Sequence, residues 1–362
     1  MNTSISSVLL VSLCLFMSCG VTCSRSQNGE QVSDRIVSYL SSLSLDQKAL
    51  KKDVEEISRS AHPLGSARQS QVAEFITTQA TALGAKTTVQ KFTAKTPNPS
   101  YTPLSVQSSV IEEKSAQNVL ALVVPEQDVK CVVVVGSHFD TKSIKEGEYL
   151  GANDSGSSSA ALLQMIVAMQ KYPHKSDLTC APLFVWFDGE EAQLENWTDG
   201  ELAHPAKTQD NTYGSRHFVS ELKDCDIASN PSHCIELFDK TYAIAGAVIL
   251  DMIGSSNIKI TNDLNSDTAM RQLMVSADKS LLGDESILMG GFGRPIEDDH
   301  VPFKSKSIPV LDMIDFENLD TWHQTTDEVS KVDPASIDRA ARVATAVVLE
   351  LLHNPEKAKG EK

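Results

Sequence analysis

An α/β sandwich of three layers, with a mixed, mostly parallel central sheet, is the fold class predicted by three observations. Two runs, CVVVV at 131–135 and CAPLFVWF at 180–187, are continuously apolar, the pattern of strands buried on both faces. Helical patterns alternate with these and with later strand-like runs. No internal repeat, low-complexity tract or Pro/Gly linker interrupts residues 30–356, so that span reads as one domain although a length of 362 residues allows two.

The elements follow in order. Helical patterning begins near residue 30. Ser66-Ala67-Arg68-Gln69 reads as a capping box, after which Val72, Phe75, Ile76, Ala80 and Leu83 recur at helical spacing until Gly84 stops the helix. Residues 86–93 and 104–111 alternate like half-exposed antiparallel strands. The strand at 131–135, a helix over 155–170 rich in Ala, Leu, Met and Ile, and the strand at 180–187 come next. A strand at 243–252, a helix near 266–282, a strand at 308–314 and a helix after Asp333-Pro334 complete the set. Ile337, Ala341, Ala344, Val348 and Leu351 share one face of that last helix.

Composition narrows the function classes. With 41% apolar and 22% charged residues, disordered, collagenous and coiled-coil readings fall away. The 48 acidic against 32 basic side chains leave a formal charge of −16, which opposes binding to nucleic acid or anionic membrane surfaces.

Residues 8–17, VLLVSLCLFM, form an apolar run too short to span a bilayer and placed where a secretory leader stands. Residues 1–23 are therefore expected to be a signal peptide or lipoprotein leader, with Cys19 or Cys23 as the lipidation alternative. The chain is accordingly expected to be secreted or extracytoplasmic, without a transmembrane span. Past the leader four cysteines remain, Cys131, Cys180, Cys225 and Cys234. The short Cys225/Cys234 spacing in the polar stretch KDCDIASNPSHC favours a loop disulfide, with the other two as buried strand thiols. The sequence has no CxxC, which disfavours a cysteine zinc site.

In open α/β sheets ligands bind beyond the carboxyl ends of the strands. The apolar strands here run straight into acids and imidazoles at those ends. VVVVGSHFD leads to His138 and Asp140, FVWFDGEEA to Asp188, Glu190 and Glu191, AVILD to Asp251, and IPVLDMIDF is followed by Trp322-His323. Between the first two lies GANDSG, a tight glycine turn able to aim Asp154 at the same centre. Converging carboxylates repel one another when desolvated, and a divalent cation relieves that cost. Zinc accepts imidazole nitrogen and carboxylate oxygen, and in a catalytic site keeps one position open. In the adjacent pair Glu190-Glu191 the side chains diverge as the strand ends, so one carboxylate can bind metal while its neighbour faces substrate as acid/base.

The pattern His138-x-Asp140, GANDSG, DGEEA, LDMIG and the late His323 resembles the zinc-dependent exopeptidase superfamily, which contains both co-catalytic zinc aminopeptidases and animal-type glutaminyl-peptide cyclotransferases. By that resemblance Asp154, Glu191 and His323 are metal ligands and Glu190 is the acid/base. In the aminopeptidases His138 and Asp251 would hold a second zinc bridged through Asp154. HPLGSARQ with FTAKTP, NTYGSRH, IEDDHVPF and Trp322-His323 look like the cyclotransferase branch. There the counterparts of Asp251 and Asp298 form an acidic relay with Glu190, and the tryptophan at position 322 lines the glutamine pocket. Phe303 is expected as a second apolar wall, Trp197 at the rim, and His300 as a group orienting the relay or the substrate. Asp312 stands where that branch carries a histidine, and Asn318 where many animal members carry phenylalanine.

The resemblance implies conversion of an amino-terminal glutamine to pyroglutamate with release of ammonia, using one zinc and peptide or protein substrates with a free N-terminus. The alternatives are a dizinc aminopeptidase, with two ions, and a noncatalytic ectodomain of the same fold. The sequence does not state an oligomeric state.

Overall fold

Eight strands form one sheet in a computed structural model that describes residues 31–359 apart from 104–108, 146, 196–203 and 228–229. The leader and Trp197 lie outside the described residues. In chain order the strands are β1 Lys86–Pro97, β2 Ile111–Leu122, β3 Cys131–His138, β4 Cys180–Phe187, β5 Lys223–Ile227, β6 Asn230–Leu237, β7 Lys240–Asp251 and β8 Val310–Ile314. Their order across the sheet is β1-β2-β4-β3-β7-β6-β5, with β8 also on β7. The sheet is mixed. Its parallel part is the central group, β3 paired with β4 and β7, and β7 with β8. Antiparallel pairs flank it, β1 with β2 and β2 with β4 on one side, β7 with β6 and β6 with β5 on the other.

The continuous apolar runs are explained by burial on both faces. Val133 and Val135 of β3 join Phe184, Trp186, Val248 and Leu250 in one core, whereas Val132 and Val134 join Leu183, Val185, Phe187 and Ile249 in the other. Strand side chains alternate, so a run without polar residues is what two apolar faces require. The helices α1 Asp34–Ser42, α2 Gln47–Ile57, α3 Ala67–Ala82 and α4 Ser158–Lys171 pack into the first core, as do α6 Thr268–Leu282 and α8 Pro334–His353. The thinner second layer includes α5 Tyr213–Ser220 and the short turn α7 Val301–Lys304, through Phe218 and Phe303.

Local chemistry fixes the element ends. Ser66 Oγ accepts the Gln69 N–H at 3.1 Å and so caps α3. The return half of the capping box is not made, because the Gln69 side chain donates instead to the buried Asp188. Asp333 caps α8 by accepting the Ala335 N–H at 3.1 Å, with Pro334 in the first turn. Trp186 is fully buried and its indole N–H reaches the Ser159 carbonyl at 3.1 Å, tying β4 to the start of α4.

Three sequence expectations are corrected. The strand read over 104–111 begins only at Ile111 and runs to Leu122, and 104–108 lie outside the described residues. Its first half is polar because it is only partly covered. The polar stretch around Cys225 and Cys234 is the hairpin β5–β6, cross-linked by those cysteines with Cα atoms 5.9 Å apart. Cys131 and Cys180 are not free thiols. The register of β3 on β4 puts them opposite each other, and they form a second disulfide with Cα atoms 4.6 Å apart.

Candidate active site

Parallel pairing aligns the carboxyl ends of β3, β4 and β7 at one sheet edge. His138, Glu190, Glu191 and Asp251 stand at that edge, each less than a tenth exposed. The turn that delivers Asp154 begins at Gly151, whose φ is +61° and whose Cβ, were one present, would sit 2.4 Å from the Asp154 carbonyl oxygen. Glycine is required there on both counts. The Asp154–Ser155 peptide is cis. The Asp327 carboxylate accepts the N–H groups of Asn153 and Asp154 at 2.8 and 3.1 Å, holding the turn in place.

Asp154 lies between two groups of donor atoms. Its Oδ1 is 3.0 Å from His138 Nε2, which is also 3.4 Å from Asp251 Oδ1. Its Oδ2 is 3.8 Å from His323 Nε2, which is 3.1 Å from Glu191 Oε2. Within each triplet, Asp154/Glu191/His323 and His138/Asp154/Asp251, the atoms lie within 4.8 Å of one another, a spacing that admits a cation. The chemistry of the donors fits. Both Glu191 oxygens and Asp251 Oδ1 are buried without a hydrogen bond, beside the imidazoles of His323 and His138, and a buried carboxylate is costly unless a positive charge satisfies it. His323 adopts a left-handed φ of +54° and Met252, beside Asp251, one of +52°, conformations that non-glycine residues hold only where the surroundings impose them.

A cavity of about 230 Å³ opens over these groups, lined by Asp154, Glu190, Glu191, Asp251, Asp298 and His323 and walled by Trp322, Phe316, Ile296 and Ile314. Trp322 is stacked on His323 with ring centroids 4.0 Å apart and meets Phe316 edge-on at 5.5 Å. Burial pushes the Glu190 carboxyl well above the usual range, and the charges of Asp298 and Glu191 add to that. Burial, then the charge of Asp154, raises Asp251 to about 7, and burial also raises Asp298. Asp154 moves the other way. Burial opposes its ionisation, yet His138 and His323 outweigh it and hold the carboxyl down. Carboxyls whose environments drive them apart are suited to different tasks, proton transfer for one and cation binding for another.

The remaining sequence candidates are placed as follows. Phe303 does not wall the cavity. It is fully buried, 5.8 Å from Phe218 and 6.3 Å from Phe187 between ring centroids, because α7 turns its ring into the second core. His300 is fully buried behind the cavity, with Nε2 3.3 Å from Asp263 and Nδ1 3.6 Å from Asp312. Asp188 points away and accepts the Gln117 N–H at 2.7 Å, a structural clamp between β2 and β4. Asp140 is no ligand here. Its carboxylate accepts the Glu190 and Glu191 N–H groups at 2.9 and 3.3 Å and flanks His138 Nδ1 at 3.5 Å.

Three residues were not legible as part of the site. Tyr149 donates its hydroxyl to Asp154 Oδ2 at 2.6 Å. Lys142 donates to the Ala192 and Leu194 carbonyls at 2.9 and 3.1 Å, holding the loop after Glu191. Asp327 is the third. Only Tyr149 carried a signal, an amphipathic aromatic just before the GANDSG turn.

Comparison with known proteins assigns the chain to a family. The profile of Peptidase family M28 matches residues 118–348. The chain is 26% identical over 309 residues to a glutaminyl-peptide cyclotransferase-like protein of Mus musculus, a match covering 80% of this chain and 72% of that one. It is 24% identical over 225 residues to a glutaminyl-peptide cyclotransferase of Dictyostelium discoideum, covering 58% of each chain and so less than two thirds of that relative. A solved glutaminyl cyclase from an Acidobacteriales bacterium has a similar fold, with TM-score 0.65, 22% identity and coverage of 86% of this chain and 96% of that one. The sheet, the cation-ready triplets at its carboxyl edge and a profile match over more than half of the sequence place the chain in Peptidase family M28.

Proposed function

We propose that this chain is a zinc-dependent glutaminyl-peptide cyclotransferase, converting an amino-terminal glutamine to pyroglutamate and ammonia. The observation that carries the reading is the position of Glu190, a carboxyl raised by burial, in one cavity with Asp251, Asp298 and the Trp322 wall. The names of the cyclotransferase relatives support the same reaction.

Asp154, Glu191 and His323 would hold the zinc. When bound, zinc supplies Lewis-acid polarisation of the glutamine side-chain carbonyl. Trp322 and Ile296 enclose the glutamine side chain and exclude water. Glu190, as carboxylate, takes a proton from the α-amino group as its nitrogen forms a bond to the side-chain carbonyl carbon. Glu190 then returns the proton to the amide nitrogen as the carbon–nitrogen bond breaks and ammonia leaves. Asp251 and Asp298, themselves raised, keep the Glu190 proton within an acidic cluster rather than releasing it to solvent. Residues 30–356 act as one catalytic domain on peptides with a free N-terminus.

The second reading is a dizinc aminopeptidase. The observation in its favour is the His138/Asp154/Asp251 triplet, which offers a second ion a place. In that case Glu190 would serve hydrolysis, and Asp251 would bind metal rather than share a proton. Ammonia release from a Gln-initiated peptide tests the first reading, and release of free leucine from a Leu-initiated peptide supports the second.

Export fits the two disulfides, which persist in oxidising compartments. Among the described residues no helix is long and apolar enough to cross a membrane.

A further inference from the structure

The cavity is charged almost entirely in one sense. Among its described lining residues six are carboxylates, none is Lys or Arg, and His323 is the single imidazole. Five of the carboxylates, Asp154, Glu190, Glu191, Asp251 and Asp298, are buried at the floor and already have tasks. Glu297 is different. It lines the cavity yet is exposed, so it stands at the mouth, one residue from the relay acid Asp298. Its side chain makes no ion pair among the described residues, and its contact is a 3.5 Å hydrogen bond from the Gln209 amide. Arg294, three residues earlier, does not neutralise it. That guanidinium is held by Glu317 at 2.8 Å and lies 4.8 Å over the Phe316 ring.

A glutamine that enters side chain first, with its α-amino group against Glu190, leaves only the mouth for the rest of the peptide. The residue after glutamine then passes Glu297, about 3.3 Å of extended chain from the reacting residue. We propose that Glu297 is a specificity residue, favouring substrates with a lysine or arginine at the second or third position and disfavouring acidic residues there. This rests on the cyclisation reading. An exposed carboxylate at the mouth of an acidic cavity attracts a cationic side chain and repels an anionic one, and among the described residues no ion pair neutralises it.

The test compares kcat/KM of the zinc-loaded protein for Gln-Lys-, Gln-Gln- and Gln-Glu-initiated peptides of equal length. The expected order is Lys above Gln above Glu, with the Lys/Glu ratio at least about threefold at low ionic strength and falling toward one as salt is raised. Glu297→Gln should bring the ratio near one, and Glu297→Lys should invert it. A wild-type ratio near one, or a ratio that both variants leave intact, overturns the assignment. Calorimetric binding of the corresponding pyroglutamyl-Lys and pyroglutamyl-Glu products reads the same contrast without turnover. A charge contrast in binding from a protein that releases no ammonia would sink the cyclisation reading and leave Glu297 as the charge-selective rim of a peptide site.

Discussion

Asp140 accepts the backbone N–H of Glu190 at 2.9 Å, so the acid just beyond the end of β3 sets where the acid beyond β4 stands. Asp140→Ala leaves two buried N–H groups without their acceptor. A loss of about 1–3 kcal/mol in unfolding free energy is expected from that alone. Because Glu190 is then misplaced, kcat should also fall about tenfold or more. Denaturant unfolding and steady-state kinetics check both, and an unchanged kcat would remove Asp140 from the positioning role.

Glu190→Gln keeps the shape of the side chain and removes its proton chemistry. Turnover of a Gln-initiated peptide should drop by about 10²–10⁴-fold. Metal content should stay at the wild-type level, since Glu191 and not Glu190 belongs to a triplet of candidate ligands. Loss of metal together with activity would show that the two adjacent glutamates have been assigned the wrong way round.

Metal removal separates ligands from bystanders. Chelation should lower the melting temperature, and added zinc should restore it, because an ion that binds only the folded state stabilises it. Asp154→Ala and His323→Ala should lose both the metal and the chelator response. Asp312→Asn should retain them, since Asp312 sits against His300 and does not belong to the Asp154/Glu191/His323 triplet. A melting temperature indifferent to chelator would contradict the proposed centre.

Much of this arrangement was legible before the fold was known. β3, β4 and the second half of β7 announce themselves because burial on both faces leaves little place for polar residues, and the acids at or just past their ends stand out against those runs; β8 reads as a strand although it carries Asp312 inside it. The hairpin β5–β6 was hidden because Lys223–Ile227 and Asn230–Leu237 are dominated by polar and turn-forming residues that read as loop. The string IEDDHVPF showed residue types but not directions, which is why Phe303 was expected at the cavity and lies in the core. Asp327 was invisible for another reason. It meets Asp154 across 173 residues of chain, and no local period records such a contact.

His62 offers a pH test away from the candidate ligands. Burial lowers it from the ordinary 6.5 to about 4, while its Nδ1 lies 2.9 Å from the Ser60 carbonyl. Between those values the unfolded chain binds a proton that the folded chain refuses, so stability falls as pH drops from about 6.5 to about 4. The separation corresponds to about 3 kcal/mol. His62→Gln should flatten that part of the stability profile relative to wild type. Parallel profiles for the two proteins would show that His62 is not held neutral.

The most direct test of the central claim is the mass of a Gln-initiated peptide after incubation with the zinc-loaded protein, with the side-chain amide nitrogen isotopically labelled. Cyclisation predicts a peptide of unchanged length that has lost one ammonia, with the label recovered in that ammonia and no water added. A peptide shortened by its first residue, with the label still in the released glutamine, would contradict it.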